Sequence, residues 1–378
     1  MSIYVVSSED TVDRIAAATN TEVQQIIYDN QLVYPYELAL GQALYIAEPE
    51  RLATRSIYVG GYAYPFISEW VLDQTLPYLS ELPVFSYGFS REGVLIAPLW
   101  EDEWLIEAAL NYGTRPILTL TPFDASGNFN NNLIHSVVNN SSYAQTLIEE
   151  LVIIMGQKGY QGVDIDFEYI LAEDRDAFTT FVGRVAEVMR GYGYTTSVAL
   201  APKTSADQQG LLYQGKDYAA LGAVADYVLL MTYEWGYTYG PPMAIAPIHQ
   251  VRRVVEYALT EIPAEKINLG IPNYGYDWPL PYERGVTKAQ TLGNIQAVRL
   301  AVSQGAEILF DELAQSPYFR YTENGREHEV WFEDVRSLNA KFNLIEEYGL
   351  RGCGYWQIMQ WFRANWLQLQ SRFYIIKE

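Results

Sequence analysis

From residue 56 onward, two patterns of apolar positions take turns along the chain. Short runs rich in β-branched and aromatic residues recur at 57–63, 83–88, 116–121, 162–169, 195–201, 226–234, 267–274 and 352–358. Glycine, proline and polar residues punctuate them, so each reads as a strand. Between the runs, apolar residues return every three or four positions. Leu147, Leu151 and Ile154 do so within Ser142–Gln157, and that spacing predicts a helix with one buried face. Eight strands with intervening helices predict an α/β fold, a (β/α)8 TIM barrel. The stretch between the seventh and eighth strands is far longer than an ordinary connection. It carries a helical pattern at Asn294–Ser303, an apolar run at Glu307–Phe310, and two alternating runs, Tyr318–Tyr321 and Glu327–Phe332, around Asn324-Gly325. Asn-Gly between alternating runs predicts a hairpin. A small α+β unit is therefore expected over about 285–335, inserted before strand eight.

Residues 1–48 follow a different plan. Ile3–Val6 reads as a short strand. Asp10 or Thr11 can cap a helix carrying Val12, Ile15 and Ala16. A second helix holds Val23, Ile26 and Ile27 and ends at Asn30. Gly41-Gln42 then turns into the strand Ala43-Leu44-Tyr45-Ile46. This β-α-α-β order, with Tyr4-Val5-Val6, Glu9-Asp10-Thr11-Val12 and Gly41-Gln42-Ala43-Leu44, resembles a LysM module. Glu9 and Leu40 stand where that family usually has glycine and proline. The resemblance implies binding of glycans that contain N-acetylglucosamine. A linker is expected at 49–55, with the barrel over 56–378.

Within the fourth strand, Gly162-Val163-Asp164-Ile165-Asp166-Phe167-Glu168-Tyr169 alternates apolar and acidic residues. Side chains on a strand alternate faces, so Asp164, Asp166 and Glu168 share one face. Like charges so placed repel unless some are protonated or act as a unit. The run alone fits acid–base chemistry or a half-buried strand with a solvated acidic face. Other strands add to it at the same barrel end, where a TIM barrel carries its site. They end Gly61-Tyr62-Ala63-Tyr64, Met231-Thr232-Tyr233-Glu234-Trp235, Asn273-Tyr274-Gly275-Tyr276-Asp277-Trp278 and Gly354-Tyr355-Trp356-Gln357. One such tryptophan is ordinary packing. Five strand ends of this kind together point to a site.

Composition narrows the options. The chain has 378 residues, 49% of them hydrophobic, enough for a large domain plus a module. A net charge of −21 with no basic cluster argues against nucleic acid as a partner. The 31 tyrosines and 9 tryptophans suit stacking on sugar rings, although an aromatic core accounts for part of them. Cys353 is alone, and His135, His249 and His328 are far apart, so neither a disulfide nor a metal site is expected, and no cofactor is implied. No apolar run is long enough to span a membrane. The N-terminus lacks the basic and apolar regions of a signal peptide, so either export does not use one or it has been trimmed.

The barrel segment resembles the family 18 glycoside hydrolases. Their DxxDxDxE signature reads Gln161-Gly162-Val163-Asp164-Ile165-Asp166-Phe167-Glu168 here, with Gln161 in place of the first aspartate. Met231-x-Tyr233-acid and Trp356 match as well, with Glu234 where aspartate is usual. The phrases Met231–Gly236, Arg351–Trp356 and Asn365-Trp366-Leu367, and the LysM module ahead of the barrel, resemble the spore-germination, cortical-fragment-lytic branch. Members often carry two LysM modules; one is present here.

The resemblance implies substrate-assisted cleavage, an exception to the two-carboxylate scheme. Glu168 would be the general acid. Asp166 would orient the acetamido N–H, Asp164 would share a proton with Asp166, and Tyr233 would donate to the acetamido oxygen. Trp356 would floor the cleaved sugar, with Tyr62, Tyr169, Met231, Glu234 and Asn273 as further substrate-binding residues. The implied activity is that of an N-acetylglucosaminidase acting on spore-cortex peptidoglycan, located in the spore. A chitinase or chitooligosaccharide hydrolase is the enzymatic alternative. A non-catalytic glycan-binding coat protein is another, which the presence of Glu168 disfavours.

Overall fold

The structure is a computed structural model that describes residues 2–48 and 53–377. Most of the expected linker, residues 49–52, lies outside the described residues.

The first unit is small. Strand β1 (Ser2–Val5) pairs antiparallel with β2 (Ala43–Ile46). Helices α1 (Val12–Thr19) and α2 (Val23–Asp29) cover one face of that ribbon. Thr11 caps α1 by accepting from the Arg14 N–H, and Asn20 ends it in the left-handed region. Val6, Val12, Ile15, Ile26, Leu44 and Ile46 form its core.

The expected eight barrel strands are all present. They are β3 (Arg55–Gly61), β4 (Glu81–Phe89), then, past the short β5 (Leu95–Ile96), β6 (Arg115–Leu120), β7 (Gly162–Ile165), β8 (Thr195–Leu200), β9 (Tyr227–Leu230) and β10 (Ile267–Pro272). The eighth is β16 (Gly352–Trp356). Each pairs in parallel with its neighbour, and β3 pairs with both β16 and β4, which closes the barrel. Strands buried on both faces need few polar residues: β7, β9 and β10 are buried at every position. The helix predicted over 142–157 is observed at Ser141–Lys158, with Asn140 as its cap.

The insertion starts earlier than predicted. Gly275–Pro279 is not the tail of the seventh strand. It forms β11, which turns away and pairs antiparallel with β12 (Gln290–Leu292) and β15 (Arg326–Trp331). With β13 (Leu309–Asp311) and β14 (Ser316–Glu323) they make a five-stranded sheet. Asn324 and Gly325 both have positive φ in the β14–β15 turn, as an Asn-Gly hairpin requires. The predicted helix Asn294–Ser303 packs on this sheet through Ala297 and Ala301. A last strand, β17 (Phe373–Ile375), adds to β3 outside the barrel.

The N-terminal unit is docked on the barrel. Asp29 is buried and pairs with Arg363 at 3.0 Å, and Arg363 also lies over the Tyr28 ring. Gln31 accepts from the Arg363 N–H at 2.7 Å and donates to the Trp361 carbonyl. Leu40 and Gly41 meet the insertion and the helix that follows it: Ile308 N–H donates to Leu40 O, and Arg336 donates to Gly41 O. A Cβ on Gly41 would sit 1.9 Å from the Ile308 carbonyl oxygen, so only glycine allows this approach. Removing a partner of a buried ion pair leaves the other charge uncompensated. Asp29→Ala is therefore expected to destabilise the protein by about 1–3 kcal/mol. Urea unfolding would read this as a lower midpoint; an unchanged midpoint would show that the docking carries no stability.

Candidate active site

The acidic run sits where the fourth strand leaves the barrel. Regular strand structure ends at Ile165, short of the predicted residue 169. The alternation outlasts the strand. Asp166 N–H still bonds the Leu120 carbonyl, and Phe167 is buried against Phe89, Phe178 and Phe181. Phe167 thus faces the helix layer, and the acids take the opposite side.

The three acids have different surroundings. Asp164 is deepest. Its Oδ2 accepts from Tyr62 Oη at 2.6 Å and its Oδ1 from Ser197 Oγ at 2.7 Å. Two hydroxyls thus fix the orientation of this carboxyl, and its negative charge acts on Asp166. Burial raises the Asp164 carboxyl above its usual range, against the pull of those two hydroxyls. Asp166 is buried, and its Oδ1 has no hydrogen-bond partner among the described residues. Its carboxyl is pushed well up, first by burial, then by the negative charge of Glu168 and of Asp164. Burial raises Glu168 too, and the positive charge of Lys216 opposes it. Asp166 and Glu168 therefore titrate as a pair that retains a proton above the ordinary carboxylate range.

Tyr233 follows β9 and faces the same space. A Cβ on Gly270 would come 2.9 Å from the Tyr233 ring and 2.2 Å from the Leu230 carbonyl oxygen, so a glycine in β10 makes room for it. Burial and the nearby carboxylates hold its hydroxyl protonated, ready to donate. Trp356 closes β16 and lies against Phe85, Tyr62 and Tyr64, with ring centroids 4.9, 5.5 and 6.1 Å away. Beside it opens a cleft of about 330 Å³ walled by Tyr64, Phe85, Trp100 and Phe123.

The remaining expected residues divide by position. Tyr62 is buried and bonded to Asp164, so it reaches the site through that acid. Glu234 is at the exposed rim, with φ of +67°, and accepts from Tyr274 and Tyr276 hydroxyls. Asn273 is buried, and its amide donates to the Gln357 and Gln360 carbonyls, which holds the loop after Trp356. Met231 is half-buried at the end of β9, and Tyr169 is 39% exposed at the lip.

Some neighbours escaped the sequence reading. Ser197, Phe85 and Lys216 come from strands or loops with no distinctive pattern. Tyr274, Tyr276 and Glu234 were each visible at strand ends, but the meeting of both hydroxyls on the Glu234 carboxylate was not. His135, expected to be isolated, lies with Glu173 and Asp174, and its Nδ1 bonds the Asp174 carboxylate at 2.8 Å. Asn139 also donates to Asp174, so His135, Asn139 and Asp174 form a hydrogen-bonded cluster.

A family model described as glycosyl hydrolases family 18 matches residues 126–360. The chain belongs to family 18. A LysM model matches residues 4–47 of the same family 18 enzyme. It is 44% identical over 303 residues to a cortical fragment-lytic enzyme of Bacillus subtilis, covering 80% of this chain and 70% of that protein. Its fold superposes with a TM-score of 0.93 on the spore cortex-lytic enzyme SleL of Bacillus megaterium, at 31% identity over 100% of this chain and 99% of the other. A chitinase from Chromobacterium violaceum matches with a TM-score of 0.76 at 25% identity, covering 84% of this chain and 99% of that one. This family 18 enzyme is a glycoside hydrolase. Among its described residues no helix is long and apolar enough to cross a membrane.

Proposed function

We propose that the protein hydrolyses the glycan strands of spore-cortex peptidoglycan as an N-acetylglucosaminidase, with retention of configuration and with the substrate's own acetamido group as nucleophile. The observation that carries this is the buried Asp166 Oδ1, without a partner among the described residues, in a site where the charges of Asp166 and Glu168 both act on the donor Tyr233. A buried acceptor left unpaired is costly unless something fills it. An acetamido N–H is a donor of the right kind.

The sugar whose bond breaks lies over Trp356. Glu168 gives its proton to the glycosidic oxygen as that bond opens. The acetamido oxygen attacks the anomeric carbon and closes an oxazolinium ring. Asp166 accepts the N–H and faces the developing positive charge, while Tyr233 holds the acetamido oxygen in line. Glu168, now ionised, takes a proton from water as water opens the ring. Two inversions give net retention. The cortex assignment rests on likeness to cortical fragment-lytic enzymes of Bacillus, and that likeness supports the spore as the site of action.

The chemistry constrains the cut. The attacking acetyl belongs to the sugar whose anomeric carbon is released, so the new reducing end should be N-acetylglucosamine. Muramic lactam has no free acetyl group, and N-acetylmuramic acid adds a lactyl ether beside Trp356. Digestion of cortex fragments, borohydride reduction and mass spectrometry should mark reduced N-acetylglucosamine. Reduced muramic acid as the main new end would make the enzyme a muramidase. Cleavage of chitooligosaccharides without cleavage of cortex would favour the chitinase reading.

A further inference from the structure

We propose that Lys216 is a positioning residue of the hydrolytic site, holding the Glu168 backbone and supplying a positive charge that faces the Asp166–Glu168 pair. This rests on the hydrolase reading above. Lys216 lies in the connection after β8, outside the family signature run. It is completely buried, and its Nζ donates to the Glu168 carbonyl oxygen at 2.9 Å.

The loop is built to place it. Lys203, also buried, donates from Nζ to the Lys216 carbonyl at 2.8 Å and to the Ala206 carbonyl at 3.2 Å. Tyr218 Oη accepts from the Lys203 N–H and donates to the Ala201 carbonyl. Gly215 rests against Ile170, just past Glu168; a Cβ there would come 2.5 Å from the Ile170 carbonyl oxygen and Cβ. Neighbouring Asp217 is turned away, capping the next helix at Ala220 N–H and pairing with Arg175. Burying an ammonium is unfavourable unless it is compensated. Here the hydrogen bond goes to a carbonyl, so the charge acts through space on the acids.

Glu168 and Asp166 face Lys216 from the end of β7, and Lys203 faces it from its own loop. Glu168 in turn faces Asp166, Tyr233, Glu234 and Tyr169. Burial brings the Lys216 ammonium down to about 8, and the two acids oppose that fall. A cation there favours the ionised form of the acid pair. Without it the pair holds its proton to higher pH.

The test uses the full chain and a soluble N-acetylglucosamine oligosaccharide. Lys216→Met removes charge and hydrogen bond; Lys216→Gln removes the charge and keeps a donor. In both, the alkaline limb of the kcat/KM profile should move up by about 1 pH unit, the effect of losing one nearby opposite charge. Turnover at the optimum should fall about 10–100-fold in the Met variant, because Glu168 is no longer held in place. It should fall less in the Gln variant. An alkaline limb unmoved in folded variants would overturn the proposal. Wild type labelled with ¹³C at lysine Cε gives a second reading if the variants do not fold. Burial lowers Lys203 and Lys377 as well, and among the lysine signals that titrate below the ordinary range one should shift on Glu168→Gln. No such signal would also overturn it. Full turnover in Glu168→Gln would instead sink the assignment of Glu168 as the acid, whatever Lys216 does.

Discussion

Glu168→Gln is expected to cut turnover on soluble and polymeric glycan about 10²–10⁴-fold, the usual contribution of a positioned general acid. The amide matches the carboxylic acid in shape, so the sugar still binds and KM should change little. What disappears is the proton. Wild type should lose activity as pH rises, because Glu168 must be protonated to serve the leaving oxygen. Burial raises that carboxyl, so the alkaline limb should lie above the ordinary glutamate range. The variant's residual activity should lack that limb. Steady-state kinetics across pH, with calorimetric binding of a product oligosaccharide, separate the two effects. Near-normal turnover would show that another group is the acid.

How much of this could be read from the chain depends on how local the cause is. The barrel was legible because its strands are short, buried runs set between helical periods, and that contrast is written residue by residue. The face-sharing of Asp164, Asp166 and Glu168 was legible for the same reason, since period-two alternation persists even where the ladder stops at Ile165. The start of the insertion was misplaced. Gly275–Trp278 continues the apolar run of β10, and nothing in its pattern says that it leaves the barrel to pair with β15. Long-range partners were hidden in the same way. Ser197, Lys216 and Arg363 are ordinary residues until the fold sets them beside Asp164, Glu168 and Asp29. Asn273 shows the converse. A polar residue at a strand end reads as a ligand contact, yet its amide is engaged by two backbone carbonyls.

Asp166→Asn carries the second large expected effect, about 10²–10³-fold in kcat, the range for removing one preorganised electrostatic partner of a transition state. The asparagine can still reach an N–H, but it has no charge to set against the oxazolinium. Loss should therefore appear in kcat more than in KM. Tyr233→Phe should behave alike, since its hydroxyl serves the same acetamido group. The pH signature gives an independent reading. In wild type the two carboxylates repel, and that repulsion holds the last proton on the pair. Neutral asparagine removes the repulsion, so the alkaline limb should move to lower pH, opposite in sign to the shift expected for Lys216→Met. A thiazoline analogue of N-acetylglucosamine, which mimics the cyclised intermediate, should inhibit wild type and bind Asp166→Asn far more weakly. Equal binding to both proteins, or no inhibition of wild type at high concentration, would mean that the acetamido group is not the nucleophile.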